Sequence, residues 1–122
     1  IITATPSKKP LLKKESLKKG THITALGSDS PGKQELEHDI FAKADLIVAD
    51  SKLQCLERGE IHHAIKHGII EENDIQELGS LIGAEESIDR DEDHITIADL
   101  TGVAVQDIQI AKAVYEECER IN

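Results

Sequence analysis

Asp29 and Lys33 flank a Ser30-Pro31-Gly32 corner inside the stretch Ala25–Leu36, Ala-Leu-Gly-Ser-Asp-Ser-Pro-Gly-Lys-Gln-Glu-Leu. An acid and a base so placed can move a proton or bind an anion. The residues before the corner, His22-Ile-Thr-Ala-Leu, alternate and end in Gly27, the pattern of a strand running into a turn. Those after it, with Leu36, Ile40 and Phe41 at helical spacing, predict a helix over 34–43. Ser30 then serves as N-cap, Pro31 as first helical residue, and Gly32 allows close approach of a ligand. Asp29 stands just before a helix N-terminus, where open α/β sheets bind ligands and favour anions. Ordinary turn chemistry accounts for the same residues without a ligand, and Lys33 also reads as a solvated surface charge.

A second group invites a metal: Glu60, His62, His63 and His67, with His63 and His67 one helical turn apart. An i,i+4 histidine pair without a matching third ligand is a polar helix face, and no metal is assigned. The acidic run from Glu85 to Asp93 lacks the regular ligand spacing and central glycine of a calcium loop, and reads as solvated.

The elements that must hold these residues alternate between strand and helix. Strands are predicted at 1–4, 21–26, 46–49 and 95–98. Leu46-Ile-Val-Ala is a continuous apolar run of the kind buried on both faces of a parallel sheet. The lysines at 8, 9, 13 and 14 belong to a polar loop anchored by Leu11, Leu12 and Leu17. Helices are predicted over 52–67, with Asp50-Ser51 as cap and Gly68 closing it, over 72–82, capped by Asn73 or Asp74, and over 103–120. In the last, Ala104, Ile108, Ala111, Tyr115 and Cys118 form one stripe expected to be buried. Strand, helix, strand with a right-handed crossover makes the sheet parallel and gathers its carboxyl ends at one edge, beside Asp29.

The 122 residues suffice for one domain unit of this kind. A formal charge of −10 argues against nucleic acid and anionic membrane as partners, and Phe41 and Tyr115 alone supply no stacking platform for single strands. No apolar run approaches the roughly 18 to 20 residues of a membrane span. Cys55 and Cys118 form no Cys-x-x-Cys pair and fit a reducing cytoplasm. The chain has no Met and opens on Ile1-Ile2-Thr3, residues suited to the interior of a strand, which suggests part of a longer protein.

Gly27-Ser-Asp-Ser-Pro-Gly-Lys-Gln-Glu-Leu36 resembles the Gly-x-Asp-x-x-Gly-Lys-x-Glu-Leu signature of the ornithine cyclodeaminase/mu-crystallin family, which includes archaeal-type alanine dehydrogenases and imine reductases. Ile2–Ser7 is similar to the family's strand and loop beside the nicotinamide nucleotide, and Ala44–Ser51 to its next strand. Asp99-Leu-Thr-Gly-Val-Ala-Val-Gln-Asp107 resembles its late Ser/Thr-Gly-x-Ala-x-Gln-Asp motif.

The resemblance implies an α/β fold: the C-terminal portion of a Rossmann-like parallel sheet with flanking helices, ending in a long amphipathic helix. Residues 1–102 would be a partial dinucleotide-binding domain, and 103–122 a helix returning toward an N-terminal domain. It implies NAD or NADP as cofactor, a small amino or imino acid as substrate, and a homodimer in the full-length protein. Asp29 takes the catalytic role, relaying protons and stabilising a developing iminium. Thr3, Leu26, Gly27, Ser28, Lys33 and Leu100 fall on positions that border the cofactor, Leu100 replacing the commoner Ser, and Thr101 on one that meets substrate. No Gly-x-Gly-x-x-Gly fingerprint occurs among these residues, so the chain alone is expected to lack a pyrophosphate site and turnover. Two other readings stay open: a non-catalytic mu-crystallin-like binding protein, and an α/β interaction domain completed by a partner.

Overall fold

The structure, a computed structural model, describes residues 1–84 and 90–121. Seven strands and four α-helices occur among them: β1 (Ile2–Thr3), β2 (Lys8–Leu12), β3 (His22–Ala25), β4 (Gln34–Leu36), β5 (Leu46–Ala49), α1 (Lys52–Glu57), α2 (Glu60–Lys66), β6 (Ile75–Glu77), α3 (Leu78–Gly83), β7 (Thr96–Asp99) and α4 (Ala104–Ile121). Five strands form a parallel sheet in the order β1-β3-β7-β5-β6, and β2 and β4 form a separate parallel ribbon. The fold is α/β with helices flanking a parallel sheet and a long final helix, as the sequence implies.

Register explains which residues make the core. Ile23, Ile97, Ile47 and Ile75 lie side by side across β3, β7, β5 and β6, and all are buried. Each such isoleucine contributes roughly 1.5–3 kcal/mol by leaving water. The next row toward the carboxyl ends on this face is Ala25, Asp99, Ala49 and Glu77. Two alanines beside Asp99 leave room for its carboxylate. Leu36, Ile40, Phe41, Cys55, Ile61 and Ala64 cover this face from the ribbon, the turn after it, and α1 and α2. On the opposite face Thr24, Ala98 and Val48 floor a groove of about 590 Å³ with Leu78, Leu81 and Ile82 of α3 along one side.

Several predicted elements differ. The span 34–43 is not a helix: Gln34–Leu36 is β4, and a 3-10 turn comes next at His38–Lys43. Gln34 N donates to Ser7 O (3.0 Å), Glu37 N to Leu12 O (3.0 Å), and Glu35 N and Leu36 N to the Glu60 carboxylate, so bonds from distant residues override the local spacing. Ser30 therefore caps no helix. Ser30-Pro31-Gly32-Lys33 closes through Lys33 N to Ser30 O (3.3 Å), and Gly32 at φ +81° supplies the conformation of the third residue of a type II turn. The supposed polar loop at Lys8 is strand β2, in which Leu11 is exposed while Leu17 beyond it is buried.

The helix predicted over 52–67 breaks at Arg58-Gly59 into α1 and α2. Gly59 stands at φ +94°, and a Cβ there would lie 2.6 Å from Asp99 Oδ2, so only glycine lets the carboxylate reach the start of α2. Ser51 caps α1 and Gly68, at φ +68°, ends α2, as expected. The span 72–82 holds a 3-10 turn with a Glu71–Asp74 capping box, then β6, and only then α3. The strand at 95–98 and helix at 103–120 are each displaced by one residue. The apolar stripe of α4, expected to be buried, is exposed along its length, because no other element among the described residues packs over it. In the acidic run, residues 85–89 lie outside the described residues, and Arg90 to Asp93 are exposed. No helix among the described residues is long and apolar enough to cross a membrane.

Candidate functional site

The carboxyl ends of β3 and β7 run parallel and adjacent, so the next residue of each, Leu26 and Leu100, emerge side by side; Leu100 N donates to Ala25 O (2.9 Å). Between them lies a pocket of about 230 Å³ lined by Leu26, Asp29, Leu100, Thr101, Gly102 and Gln106. Two leucines give an apolar wall, while Asp29 and Thr101 give an acid and a hydroxyl. The volume is below the ~300–1,000 Å³ of sites that engulf a drug-sized ligand, and suits one ring or a small acid. Four residues singled out in the sequence, Leu26, Asp29, Leu100 and Thr101, thus meet at the sheet's carboxyl rim.

Asp29 is half-exposed, and Lys33 Nζ donates to its Oδ1 across the turn at 2.7 Å. That hydrogen bond is the main reason its carboxyl sits below the usual range. No helix N-terminus contributes, contrary to the reading of 34–43.

Thr3, Gly27 and Ser28 do not line the pocket. They form the layer beside it, and the polar groups of Gly27 and Ser28 are already engaged. Gly27 N donates to Glu35 Oε2 (2.9 Å), and Ser28 Oγ to Lys33 O (2.8 Å). A Cβ at Gly27 would stand 2.3 Å from Thr5 O and 2.4 Å from Glu35 Cδ. Thr3 Oγ1 is buried and makes no hydrogen bond of normal geometry, although its hydroxyl still helps to hold the charge of Glu35.

Three enclosed carboxylates support this rim; Glu35 and Asp99 lie in segments that carry the family resemblance and Glu60 among the residues weighed as metal ligands, but the sequence marks none of them as buried. Glu35 accepts from Thr5 N (2.6 Å) and Gly27 N. Glu60, which begins α2, accepts from Glu35 N (2.6 Å) and Leu36 N (3.0 Å). Asp99 accepts from Ile61 N (2.8 Å). Burial pushes Glu60 up to about 7, against the pull of its two amide donors, and pushes Asp99 up to about 8. Asp50, at the end of β5, accepts from Ser51 N (2.8 Å), Thr101 Oγ1 (3.2 Å) and Gly102 N (2.7 Å), and so anchors the pocket's floor. Burial, with Asp99 and Asp50 nearby, raises the Cys55 thiol, which keeps it protonated. Of the three enclosed carboxylates only Asp99, between Ala98 and Leu100, stands among apolar neighbours; Glu35 follows Gln34 and Glu60 follows Gly59.

The histidines are engaged within the fold. His63 Nε2 meets Lys33 O (2.8 Å), His62 Nδ1 meets Leu56 O (2.8 Å), and His67 stacks on His38 at 3.9 Å between ring centroids. Glu60, considered with them as a ligand, is turned to the ribbon instead.

Known proteins match this chain along nearly its whole length. The model of the ornithine cyclodeaminase/mu-crystallin family matches residues 1–122. The chain is 43% identical over 117 residues to the alanine dehydrogenase of Archaeoglobus fulgidus, covering 95% of this chain and 36% of that relative's length. The iminosuccinate reductase of Paracoccus denitrificans, solved in complex with NAD+, superposes with a TM-score of 0.90 at 40% identity over 98% of this chain and 37% of its own. The Delta(1)-pyrroline-2-carboxylate reductase of Thermococcus litoralis, solved with NADH and L-proline, gives 0.86 at 28% identity over the same shares. Matched by the family model from its first residue to its last, with its acid, leucines and threonine gathered at one rim, the chain belongs to the ornithine cyclodeaminase/mu-crystallin family.

Proposed function

We propose that this chain forms the carboxyl-rim half of a nicotinamide-dinucleotide site in an enzyme that interconverts an amino acid and its imine. The observation that carries the reading is the convergence of Leu26, Asp29, Leu100 and Thr101 on one pocket at the carboxyl ends of adjacent parallel strands. The residues fit the group: the leucines offer a flat apolar wall to a nicotinamide ring, and the Thr3 hydroxyl is a polar group without a well-formed partner beside it. When bound, the dinucleotide gives or takes the hydride.

The chain's own residues do the rest. Thr3, Leu26, Gly27, Ser28, Lys33 and Leu100 border the cofactor. Asp29, ionised and half-exposed, faces the reacting nitrogen or water, moves its proton, and stabilises a positive iminium. Thr101, held by Asp50, meets the substrate. The remaining cofactor and substrate contacts fall to the rest of a full-length protein, for the chain spans little more than a third of the length of the relatives it matches. Alone it turns over nothing. Its helix α4, with Ile108 and Tyr115 exposed, packs on that remainder, and the whole assembles as a homodimer.

The test is NADH oxidation by the full-length protein with 2-oxo acids plus ammonia and with cyclic imino acids. Asp29→Asn should abolish turnover and leave NADH affinity within a few-fold. A full-length protein that binds NADH yet is inactive on every amino and imino acid is instead a non-catalytic binder.

A further inference from the structure

We infer that Glu35 is a positioning residue for the dinucleotide: its enclosed carboxylate ties the loop after β1 to the loop after β3, and so sets the spacing of two segments, Thr3 and Leu26 to Ser28, that border the cofactor. The inference rests on the dinucleotide reading of the rim. It assigns a role to a residue that touches neither the pocket nor its ligand.

The geometry is specific. Glu35 is 0% exposed, and each oxygen serves a different loop, Oε1 taking Thr5 N at 2.6 Å and Oε2 taking Gly27 N at 2.9 Å. The two bonds continue the β1–β3 ladder beyond its final rung, Leu26 N to Thr3 O at 2.8 Å. The strands themselves end there, and beyond that rung the carboxylate supplies the hydrogen bonds that link the two loops. Glu35 is itself fixed in place: its N–H and that of Leu36 donate to Glu60, and Glu60 begins the helix whose next amide, Ile61 N, donates to Asp99 at the end of β7. A chain of carboxylates and amides thus runs from the end of β7 to the ends of β1 and β3.

Charge is part of the device. Burial works against ionisation of Glu35, but the Thr3 hydroxyl and the donors of Thr5 and Gly27 outweigh it and hold the carboxyl below its ordinary value. A neutral amide in its place has one acceptor, and turns its NH2 toward a backbone N–H. Gly27 is the steric counterpart, since any Cβ there would stand 2.4 Å from Glu35 Cδ. The glycine and the glutamate of the signature are two halves of one joint.

The experiment is NADH titration by fluorescence with the full-length protein, wild type and Glu35→Gln, alongside steady-state kinetics. The variant should bind NADH about tenfold more weakly, the size expected for losing one charge-assisted hydrogen bond, with substrate KM changed less than about twofold. Unchanged NADH affinity in a variant with a lowered melting temperature overturns the inference, because Glu35 would then serve the fold alone. If Glu35→Gln does not fold, Glu60→Gln loosens the Glu35 backbone while sparing its carboxylate. That variant should bind NADH several-fold more weakly, and wild-type affinity in it overturns the inference equally. A wild-type protein that does not bind NADH overturns both this inference and the reading on which it rests, whereas wild-type binding with unchanged variants overturns this inference alone.

Discussion

Lys33 Nζ lies 2.7 Å from Asp29 Oδ1, across a turn that Pro31 and Gly32 make tight. The pair is partly solvated, so its value lies in the state of Asp29 more than in stability. Lys33→Met removes the main cause of the lowered Asp29 pKa and should raise it toward the ordinary carboxylate value. A ¹³C NMR titration of the Asp29 carboxyl should show the midpoint moving to higher pH. No movement would mean that the ammonium does not govern the acid.

Glu60 and Asp99 carry the opposite shift. Their folded values, about 7 and about 8, exceed those of an unfolded chain, so the folded state holds more protons between roughly pH 4 and 8. Stability should therefore fall as pH rises through that window and level off above it. Urea melts at about pH 5.5 and 8.5 measure this. Asp99→Asn keeps an acceptor for Ile61 N and should flatten the dependence.

Gly27 and Gly79 make a matched pair. A Cβ at Gly27 meets Thr5 O at 2.3 Å, a backbone atom that cannot step aside, whereas at Gly79 in α3 nothing lies within 4 Å. Gly27→Ala should cost about 1–3 kcal/mol. Gly79→Ala should gain about 0.5–1 kcal/mol through helix preference. Thermal denaturation of both variants gives the contrast.

Asp50 accepts from four donors, Ser51 N, Cys55 Sγ, Thr101 Oγ1 and Gly102 N, of which the last two hold the floor of the pocket. Asp50→Ala should cost about 1.5–3 kcal/mol, the scale of hydrogen bonds to a charged group. In full-length enzyme it should also raise substrate KM while NADH affinity holds, the reverse of the pattern expected at Glu35. Equal effects on both ligands would show that the loop serves the two sites together.

Part of the rim was legible from local marks: apolar runs locate β5 and β7, and a Pro-Gly corner locates the turn holding Asp29, whereas Leu26, Leu100 and Thr101 were singled out only by the family resemblance. The ribbon was not. Lys8–Leu12 and Gln34–Leu36 become strands only through each other and through Glu60, partners some 25 residues away that leave no trace in local periodicity. Glu35, Glu60 and Asp99 were hidden for a related reason. In a chain with 24 acidic residues an isolated acid reads as surface charge, and only packing reveals which ones turn inward. The break at Gly59 likewise depends on Asp99, which lies far along the sequence on another element.

The sheet order has a consequence for how the molecule comes into being. β7 is the middle strand, yet it leaves the ribosome after both of its neighbours. Until Asp99 emerges, the nascent chain carries two half-sheets, β1 with β3 and β5 with β6, each presenting an unpaired edge. Closure between β3 and β5 must wait for β7, and a ribosome stalled before Thr96 would leave the facing edges of those two strands open to the chaperones around it.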